Sequence, residues 1–253
     1  MNLYGFYTLY LKETKRFLKV YHQTILTPCI SALILLAVFI LASDNQHRTI
    51  YNVPFKDFIG YGLIIMAITQ NAFANTSSSF IMSKVIGYLT DLLIPPLRGF
   101  DIVSAYTLGA LTRGIMVGIT LTVFLSPFIA FRLYNPLLLI FFTLASACLL
   151  GLLGILTGLI SDTFEQTGVI TNYVINPLSF LSGTFYSVDK LPGFFKMVNN
   201  FNPFFYMIDG FRYSIIGHAD SNIAVGVGFL SITNIVLFIV LAKLIDSGWR
   251  IKN

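Results

Sequence analysis

The sequence has few charged side chains: only 11% of its 253 residues are Asp, Glu, Lys or Arg, against about 25% in an ordinary soluble domain. Hydrophobic residues make up 56% of the chain, and the mean hydropathy is +0.79. Exposing this much apolar surface to water would cost roughly 25 cal/mol per Å². This composition nearly excludes both a cytosolic globular enzyme and a disordered chain. The sequence therefore indicates a protein whose solvent is a lipid bilayer.

Chemically reactive groups are scarce as well. The two cysteines, Cys29 and Cys148, lie in separate apolar stretches, where we expect buried thiols rather than a disulfide or a metal site. The sequence has no phosphate-binding G-x-x-x-x-G-K-[ST] loop, no H-E-x-x-H and no G-x-S-x-G. Its apolar stretches contain essentially no Asp or Glu, which argues against an intramembrane protease or a proton-relay pump. We predict no enzyme, and any soluble chemistry must come from a partner.

Six long uncharged intervals locate the membrane helices. They cover residues 20–43, 58–83, 114–131, 133–161, 166–188 and 221–242. Each is long enough, or nearly so, to cross a hydrocarbon layer of about 30 Å. Helices are the economical choice there, because every backbone amide must bond within its own segment. We expect the third span to begin near Ser104, with Arg113 facing protein or a wet cavity. The prediction is an all-α membrane protein in which six transmembrane helices form one domain over residues 1–253.

The placement of Lys and Arg predicts the orientation. If the N-terminus lies in the cytoplasm, ten of the 16 cationic residues fall on the cytoplasmic side and six on the outer side. Cytoplasmic loops of membrane proteins carry this excess of Lys and Arg. Because six spans return the chain to its starting side, we expect both termini in the cytoplasm.

Residues 1–24, which lead into the first span, carry a different pattern. Their apolar residues recur at three- and four-residue steps among five charged ones, and are Leu3, Phe6, Leu9, Tyr10, Phe17 and Leu18. This pattern predicts an amphipathic helix that lies in the headgroup layer with its cations toward anionic lipid. The alternative is a simple positive flank on the first span.

The cytoplasmic connection at residues 84–101 is too long for a turn. Its apolar residues form a helical stripe among charges, and Pro95–Pro96 would stop the helix. We predict a short amphipathic helix, which is either a membrane-surface linker or a rigid element that docks in a groove of a cytoplasmic partner. The candidate docking residues are Lys84, Tyr88, Leu89, Asp91, Leu92 and Arg98.

The outer connection at residues 188–220 interleaves aromatic and polar side chains. Helical stretches broken by Pro192, Pro203 and Gly210 could dip into the outer leaflet and return, if they pack against protein or line a wet cavity. Asp209 and Arg212 are three residues apart and could pair on one helical face. The alternative is a plain aromatic belt. The candidate residues of this outer segment are Pro192, Asn202, Pro203, Tyr206, Asp209 and Arg212.

Neutral polar residues occur inside the predicted spans. They could form interhelical hydrogen bonds worth about 0.6 kcal/mol each, or they could line a translocation path between two subunits. The candidates for the path are Gln70, Asn71, Asn75, Asn172 and Asn176. Two G-x-x-x-G faces, which begin at Gly114 and Gly154, are close-packing surfaces within one chain or between two chains.

Residues 176–217 resemble the C-terminal signature of the permeases of the ABC-2 type transporter family. That signature combines an N-P-x-x-x-x-x-G element, an outer L-P, an N-P, an aromatic residue and a G-x-R. The matching positions are Asn176, Pro177, Gly183, Leu191, Pro192, Asn202, Pro203, Tyr206, Gly210 and Arg212. Residues 15–28 resemble the family's entry into its first span, and residues 77–95 resemble its cytoplasmic coupling element. One departure is Phe185–Tyr186, where many members have Phe-Pro.

The resemblance implies a six-helix exporter permease in a bacterial inner membrane, paired with itself as a homodimer and with two copies of an ATP-binding subunit. ATP and Mg²⁺ would be bound by that partner, with no cofactor in this chain. Residues 84–101 would be the coupling helix and residues 188–220 the re-entrant outer gate. Few buried charges and many aromatics suggest an amphiphilic or lipid-linked cargo, with membrane lipids but no nucleic acid as partners. The alternative is a non-ABC six-span translocase subunit or an intramembrane lipid or glycan transferase.

Overall fold

The computed structural model describes residues 2–42, 49–88, 97–188 and 192–250, and most of them are helical. The helices are α1 (Leu3–Leu18), α2 (Thr27–Ala42), α3 (Phe55–Ile86), α4 (Gly99–Leu125), α5 (Pro136–Ile160), α6 (Phe164–Ile170), α7 (Asn176–Leu181), α8 (Gly193–Asn200), α9 (Pro203–Ile216) and α10 (Ile223–Asp246). Two π-helical turns, His22–Leu26 and Thr171–Ile175, continue directly into α2 and α7. A two-stranded antiparallel hairpin, β1 (Thr49–Ile50) and β2 (Val53–Pro54), precedes α3.

Within the described residues, four helices are long and apolar enough to cross a membrane: His22–Leu41, Gly99–Leu125, Pro136–Ile160 and Ile223–Asp246. Each coincides with a predicted span, which confirms the prediction of an all-α, multi-pass membrane protein. The other two predicted spans correspond to α3, which has 32 residues, and to residues 164–181. In that second segment α6, a π turn and α7 form one continuous helix. Neither segment is among the four helices that meet both criteria, so the number of six spans stays a prediction.

The central helix is α3, which packs between α4 and α5 because both neighbours present glycine to it. A Cβ at Gly154 of α5 would stand 2.5 Å from the carbonyl oxygen of Phe73, closer than real Cβ atoms approach. A Cβ at Gly114 of α4 would stand 3.0 Å from the carbonyl oxygen of Ile68. These glycines belong to the two G-x-x-x-G faces. The structure therefore answers the question left open by the sequence: both faces pack within the chain.

The predicted segment 84–101 is divided between neighbouring helices at its two ends. At its start, α3 continues through Ile86 and ends at Gly87, whose φ of +87° is favourable only for glycine. At its end, α4 already begins at Gly99. The prediction of one separate helix over 84–101 is thus corrected at both ends: residues 84–86 belong to α3 and residues 99–101 belong to α4. The apolar residues at 85–86 form the last turn of α3. The predicted residues Leu89, Asp91 and Leu92 lie outside the described residues.

In the outer segment, two of the three predicted helix breaks occur, at Pro192 and Pro203. Pro192 is the N-cap of α8, and Pro203 is the first residue of α9 after the N-cap Asn202. Gly210, however, lies inside α9 and does not break it. Its missing side chain instead lets α9 approach α5, where an added Cβ would clash with the Phe142 ring. The prediction of a break at Gly210 is therefore wrong.

Candidate functional site

A groove with a volume of about 560 Å³ lies between α2, α3 and the helix of residues 164–181. We call it the central groove. Its walls are mostly apolar, and its polar lining includes Gln23, Thr27, Gln70, Asn71, Thr171 and Asn176. Among the described residues that line it, none is Asp, Glu, Lys or Arg. Among the described residues, this groove brings the largest part of the predicted path together.

Three side chains of the predicted path form a row of amides, and two of them, Gln70 and Asn176, line the groove. The Gln70 Nε2 of α3 donates a hydrogen bond to Asn176 Oδ1 over 3.2 Å. The Asn176 Nδ2 in turn donates to Asn172 Oδ1 over 3.3 Å, one helical turn away. Because an amide has both donors and acceptors, the row links α3 to the neighbouring helix and still offers polar groups to the groove.

Both π-helical turns border the central groove. The turn His22–Leu26 contributes Gln23, and the turn Thr171–Ile175 contributes Thr171 and Ile175. π-Helical turns are rare, and they occur mostly as single turns at functional sites. Their coincidence on two walls of one groove supports its assignment as the candidate site.

Behind the groove, α1 is fixed to α3 by an ion pair. Glu13 is fully buried, and its Oε2 accepts from Arg16 Nη2 at 3.1 Å while its Oε1 accepts from Ser79 Oγ at 2.8 Å. Arg16 Nη2 also donates to the Asn75 carbonyl oxygen at 2.7 Å and to Asn75 Oδ1 at 3.1 Å. We call Glu13, Arg16, Asn75 and Ser79 the α1 anchor. Asn75, predicted to line the path, is fully buried in this anchor.

The α1 helix confirms the helical prediction for residues 1–24 but buries a residue that the sequence grouped with the charged face. Gly109 of α4 makes room for that residue, because a Cβ there would stand 2.9 Å from the Glu13 Cβ. Arg113, also on α4, is buried as predicted, and its Nη2 donates to Asn71 Oδ1 over 3.0 Å. The position of α1 in the headgroup layer stays a prediction.

At the opposite end of α3 from the β-hairpin, a charged cluster joins three helix ends. The Lys84 Nζ donates to Asp162 Oδ1 at 2.6 Å and to the Ser161 carbonyl oxygen at 2.9 Å. The Arg250 Nη1 donates to the Ile160 carbonyl oxygen at 2.6 Å and lies 3.7 Å from Asp162 Oδ2. We call Lys84, Asp162 and Arg250 the inner clamp. Two cations thus neutralise the negative C-terminal end of α5.

The inner clamp has two consequences. The hydrogen bond and the charge of Lys84 lower the pKa of the exposed Asp162 carboxyl below its ordinary value. Lys84, a predicted docking residue, has an intramolecular role, and its docking role stays a prediction. Of the other predicted docking residues in the described chain, Tyr88 is exposed and Arg98 is the N-cap of α4.

In the outer segment, buried polar side chains hold α9 in place. Asn202 caps α9 by accepting from the Phe204 amide at 3.0 Å, while its Nδ2 donates to Ser182 Oγ at 2.8 Å. The Tyr206 hydroxyl donates to the Asn200 carbonyl oxygen at 2.9 Å, which joins α9 to α8. These contacts explain why broken helices can be buried here: the polar groups at their ends are satisfied.

The predicted pair of Asp209 and Arg212 does not form. Asp209 accepts hydrogen bonds from the backbone amides of Asp220 and Ser221, at 2.8 and 2.9 Å. The Arg212 Nη2 donates to the Gly183 carbonyl oxygen at 2.8 Å, and its guanidinium lies 3.7 Å from the centre of the Phe58 ring. The prediction is wrong because each side chain instead satisfies the backbone of a different loop.

The tip of the β-hairpin completes the outer segment. The Tyr51 hydroxyl donates to Asp220 Oδ1 at 2.5 Å, and the Ser187 Oγ donates to Asp220 Oδ2 at 3.2 Å. The Tyr51 ring also stacks on His218, with 3.7 Å between centroids. We call Tyr51, Ser187 and Asp220 the outer latch. The outer latch links the β-hairpin before α3 to the start and to the end of the outer segment.

Comparison with known proteins identifies the family. The profile described as "ABC-2 type transporter" matches residues 4–216. The chain belongs to this family. Inner membrane transport permease YadH of Escherichia coli (strain K12) is 30% identical to this ABC-2 protein over 255 residues, which cover 100% of both chains. Nodulation protein J of Rhizobium leguminosarum bv. viciae is 26% identical over 201 residues, or 76% of this chain and 75% of the relative.

Membership confirms the resemblance that the sequence motifs indicated. An ABC-2 permease is the membrane subunit of an ABC transporter and works with an ATP-binding subunit. The chain is therefore a transport permease rather than an enzyme, and it is a multi-pass protein of a bacterial inner membrane. This decides against the alternative of a non-ABC translocase subunit or a lipid or glycan transferase.

Sequence reasoning missed the contacts that Glu13, Tyr51 and Asp220 make in this ABC-2 chain. Glu13 had no signal, since it stands in a run of charged residues. For the outer latch the sequence carried a weak signal, because Tyr51 and Asn52 lie between two short pairs of strand-like residues. In the structure both residues have positive φ, at +52° and +59°. Asn tolerates this conformation in hairpin turns, whereas Tyr rarely adopts it.

Proposed function

We propose that this ABC-2 permease forms, with a second copy of itself, the translocation path of an exporter for an amphiphilic or lipid-linked substrate. Two copies of a separate cytoplasmic ATPase would supply the energy. The observation that carries the proposal is the central groove, whose described lining is mostly apolar, has no charged side chain and includes the amides of Gln70 and Asn176. Such a surface suits a substrate that has both an apolar part and hydrogen-bonding groups.

The proposal includes six membrane spans with both termini in the cytoplasm. At 1.5 Å per residue, the 32 residues of α3 extend about 48 Å, and the 18 residues of 164–181 extend about 27 Å. The first length exceeds the hydrocarbon thickness, and the second nearly matches it. The polar residues that lower the hydropathy of both segments include Gln70 and Asn176, which line the central groove.

A homodimer is supported by the apolar faces beside the groove. Ile30 and Ile34 of α2 are 55% and 60% exposed, and Tyr173 in the facing helix is 78% exposed. In one chain, these faces leave one side of the central groove uncovered. A second copy packed against them would close the groove into a path between two subunits, as an isologous contact.

We further propose that residues 84–101 transmit the motion of the ATPase. Met82, Val85 and Tyr88, at and just after the end of α3, are each about half exposed, which suits docking in a partner's groove. The inner clamp connects this end of α3 to the ends of α5 and α10. A push on the segment would therefore move several helices together as a rigid body. Residues 188–220 would form the re-entrant gate at the outer side.

The test uses membranes that contain the permease with its ATPase. Substrate is identified by mass spectrometry of the lipids and glycans that co-purify, and its ATP-dependent uptake into inverted vesicles is then measured. We expect Gln70→Leu and Asn176→Leu each to reduce uptake about tenfold, because one hydrogen bond to the substrate is worth about 1–1.5 kcal/mol.

A matched control is Asn234→Leu, which removes an amide in α10 that bonds the Ala145 carbonyl and does not line the groove. We expect this variant to transport normally at equal expression. Normal uptake by both groove variants, or an equal loss in the control, would contradict the assignment of the groove as the path.

A further inference from the structure

A second groove, of about 440 Å³, lies on a different face of the molecule and shares no residue with the central groove. Its lining comes from α3, α4, α5, α9 and the loop between α4 and α5, and it is almost entirely apolar. Ile119 and Val123 on its rim are 62% and 64% exposed, so the groove opens sideways. We call it the lateral groove.

The depth of the lateral groove matches one leaflet of a bilayer. Ile64 and Ile68 lie about 14 and 20 Å below the start of α3, and Leu139 lies about 5 Å below the start of α5, at 1.5 Å per residue. Half of the hydrocarbon layer is about 15 Å thick. An apolar groove that opens sideways at this depth faces lipid chains rather than water.

Two cations stand at the same end of the molecule as the mouth of the groove. Arg132 lies between Phe131 and Leu133, which both line the groove, and Lys56 is in the first turn of α3. Both side chains are exposed, and both are close enough to Asp57 for their charges to act on its carboxyl. Among the described residues, none of the ion pairs involves Arg132 or Lys56. Two cations and one carboxylate leave a net positive charge at the mouth.

We propose that the lateral groove is a binding site for an anionic phospholipid. One acyl chain lies along the apolar lining, and the phosphate binds to Arg132 with support from Lys56. The acyl chain alone gives little preference for the groove, because bilayer chains are as apolar as its lining. The charge contact therefore provides the selectivity, since a guanidinium binds phosphate through two parallel hydrogen bonds. The site is separate from the proposed path and does not depend on the substrate of the transporter.

The experiment uses the full-length permease purified with its ATP-binding subunit and stripped of lipid in detergent. Palmitoyl-oleoyl phosphatidylglycerol is titrated, and bound molecules are counted by native mass spectrometry. We expect one tight site per permease chain, and weaker binding of the zwitterionic phosphatidylcholine with the same chains. We expect Arg132→Gln to weaken the binding of phosphatidylglycerol about tenfold, corresponding to about 1.4 kcal/mol. Arg132→Lys should restore part of the affinity. Lys243→Gln, which removes an exposed cation in the last turn of α10, is the matched control and should bind normally.

The acyl-chain contact is tested by filling the groove. Thr143→Phe places a ring among the lining residues, and Ile119→Trp does so from the exposed rim, where folding is least disturbed. Both should remove the tight site, whereas Ile140→Phe on the neighbouring exposed face should not. Equal binding of the two phospholipids, unchanged binding in Arg132→Gln, or unchanged binding in both filled variants would overturn the proposal. So would dissociation of the permease into monomers by the filled variants, because the groove would then hold a second copy.

Discussion

The α1 anchor should respond unequally to the loss of its two charges. Glu13 is fully buried, whereas the side chain of Arg16 is 34% exposed. Removing Arg16 leaves a buried carboxylate with only the Ser79 hydroxyl as a partner. Removing the charge of Glu13 leaves a guanidinium that still has the Asn75 oxygens and partial access to water. We therefore expect the loss of folding stability to differ according to which partner of the ion pair is removed.

We expect Arg16→Met to destabilise the folded chain by about 3–5 kcal/mol, the cost of leaving a buried charge without its partner. Glu13→Gln should cost only about 1–3 kcal/mol, because it removes the buried charge and its amide oxygen can still accept one of the two hydrogen bonds, from Ser79 or from Arg16. For a chain of this size, these values correspond to midpoints lowered by about 6–20 °C and about 2–12 °C. The double variant should cost less than the sum of the two single variants.

The assay is thermal unfolding of the purified permease, followed through the fluorescence of its one tryptophan, Trp249. Lys15→Met removes a neighbouring exposed cation on the same helix and should shift the midpoint by less than 1–2 °C. If Arg16→Met is no more destabilising than this control, or if Glu13→Gln is the more costly single change, the anchor does not have the structure described.

Three further predictions concern the rest of the chain. Tyr51→Phe removes the hydroxyl of the outer latch and should cost about 1.5–3 kcal/mol, the value of a hydrogen bond to a charged group; faster amide exchange in residues 49–54 would show it, and unchanged exchange would refute it. Gly154→Ala should prevent α3 from packing on α5 and abolish stable expression, while Gly228→Ala, where nothing lies within 4 Å, should express normally. Because the pKa of Asp162 is lowered, the inner clamp should persist as the pH falls to 3.8, its ordinary value, and open only as the pH falls further through the lowered pKa. The NMR chemical shift of the Asp162 side-chain carboxyl carbon across that range should report this, and opening above pH 3.8 would contradict it.

The membrane helices were largely predictable because their signal is local. The lengths of the uncharged intervals gave the spans that coincide with α4, α5 and α10, since a helix in lipid must be both long and apolar. The burial of Arg113 was predictable on the same ground, because a charge within a span must face protein or water. The residue at which α3 ends was not predictable from the sequence, since the apolar residues at 85–86 fit the continuation of α3 as well as the start of a new helix.

The polar contacts were not predictable because their partners are distant in sequence. Glu13 meets Ser79 across 66 residues, and Tyr51 meets Asp220 across 169. A helical spacing of three suggested that Asp209 would bind Arg212, but that argument omits the loops that both side chains meet in the folded chain. Local pattern identifies which residues share a helix face, whereas the packing of helices decides which polar groups they contact.

We propose that this permease moves its substrate only when a separate ATPase drives it. The direct test is transport in proteoliposomes that contain the purified chain, with and without its ATP-binding subunit and ATP. We expect directional movement of substrate only when the chain, the subunit and hydrolysable ATP are all present. Directional movement by the isolated chain, without subunit or nucleotide, would contradict it.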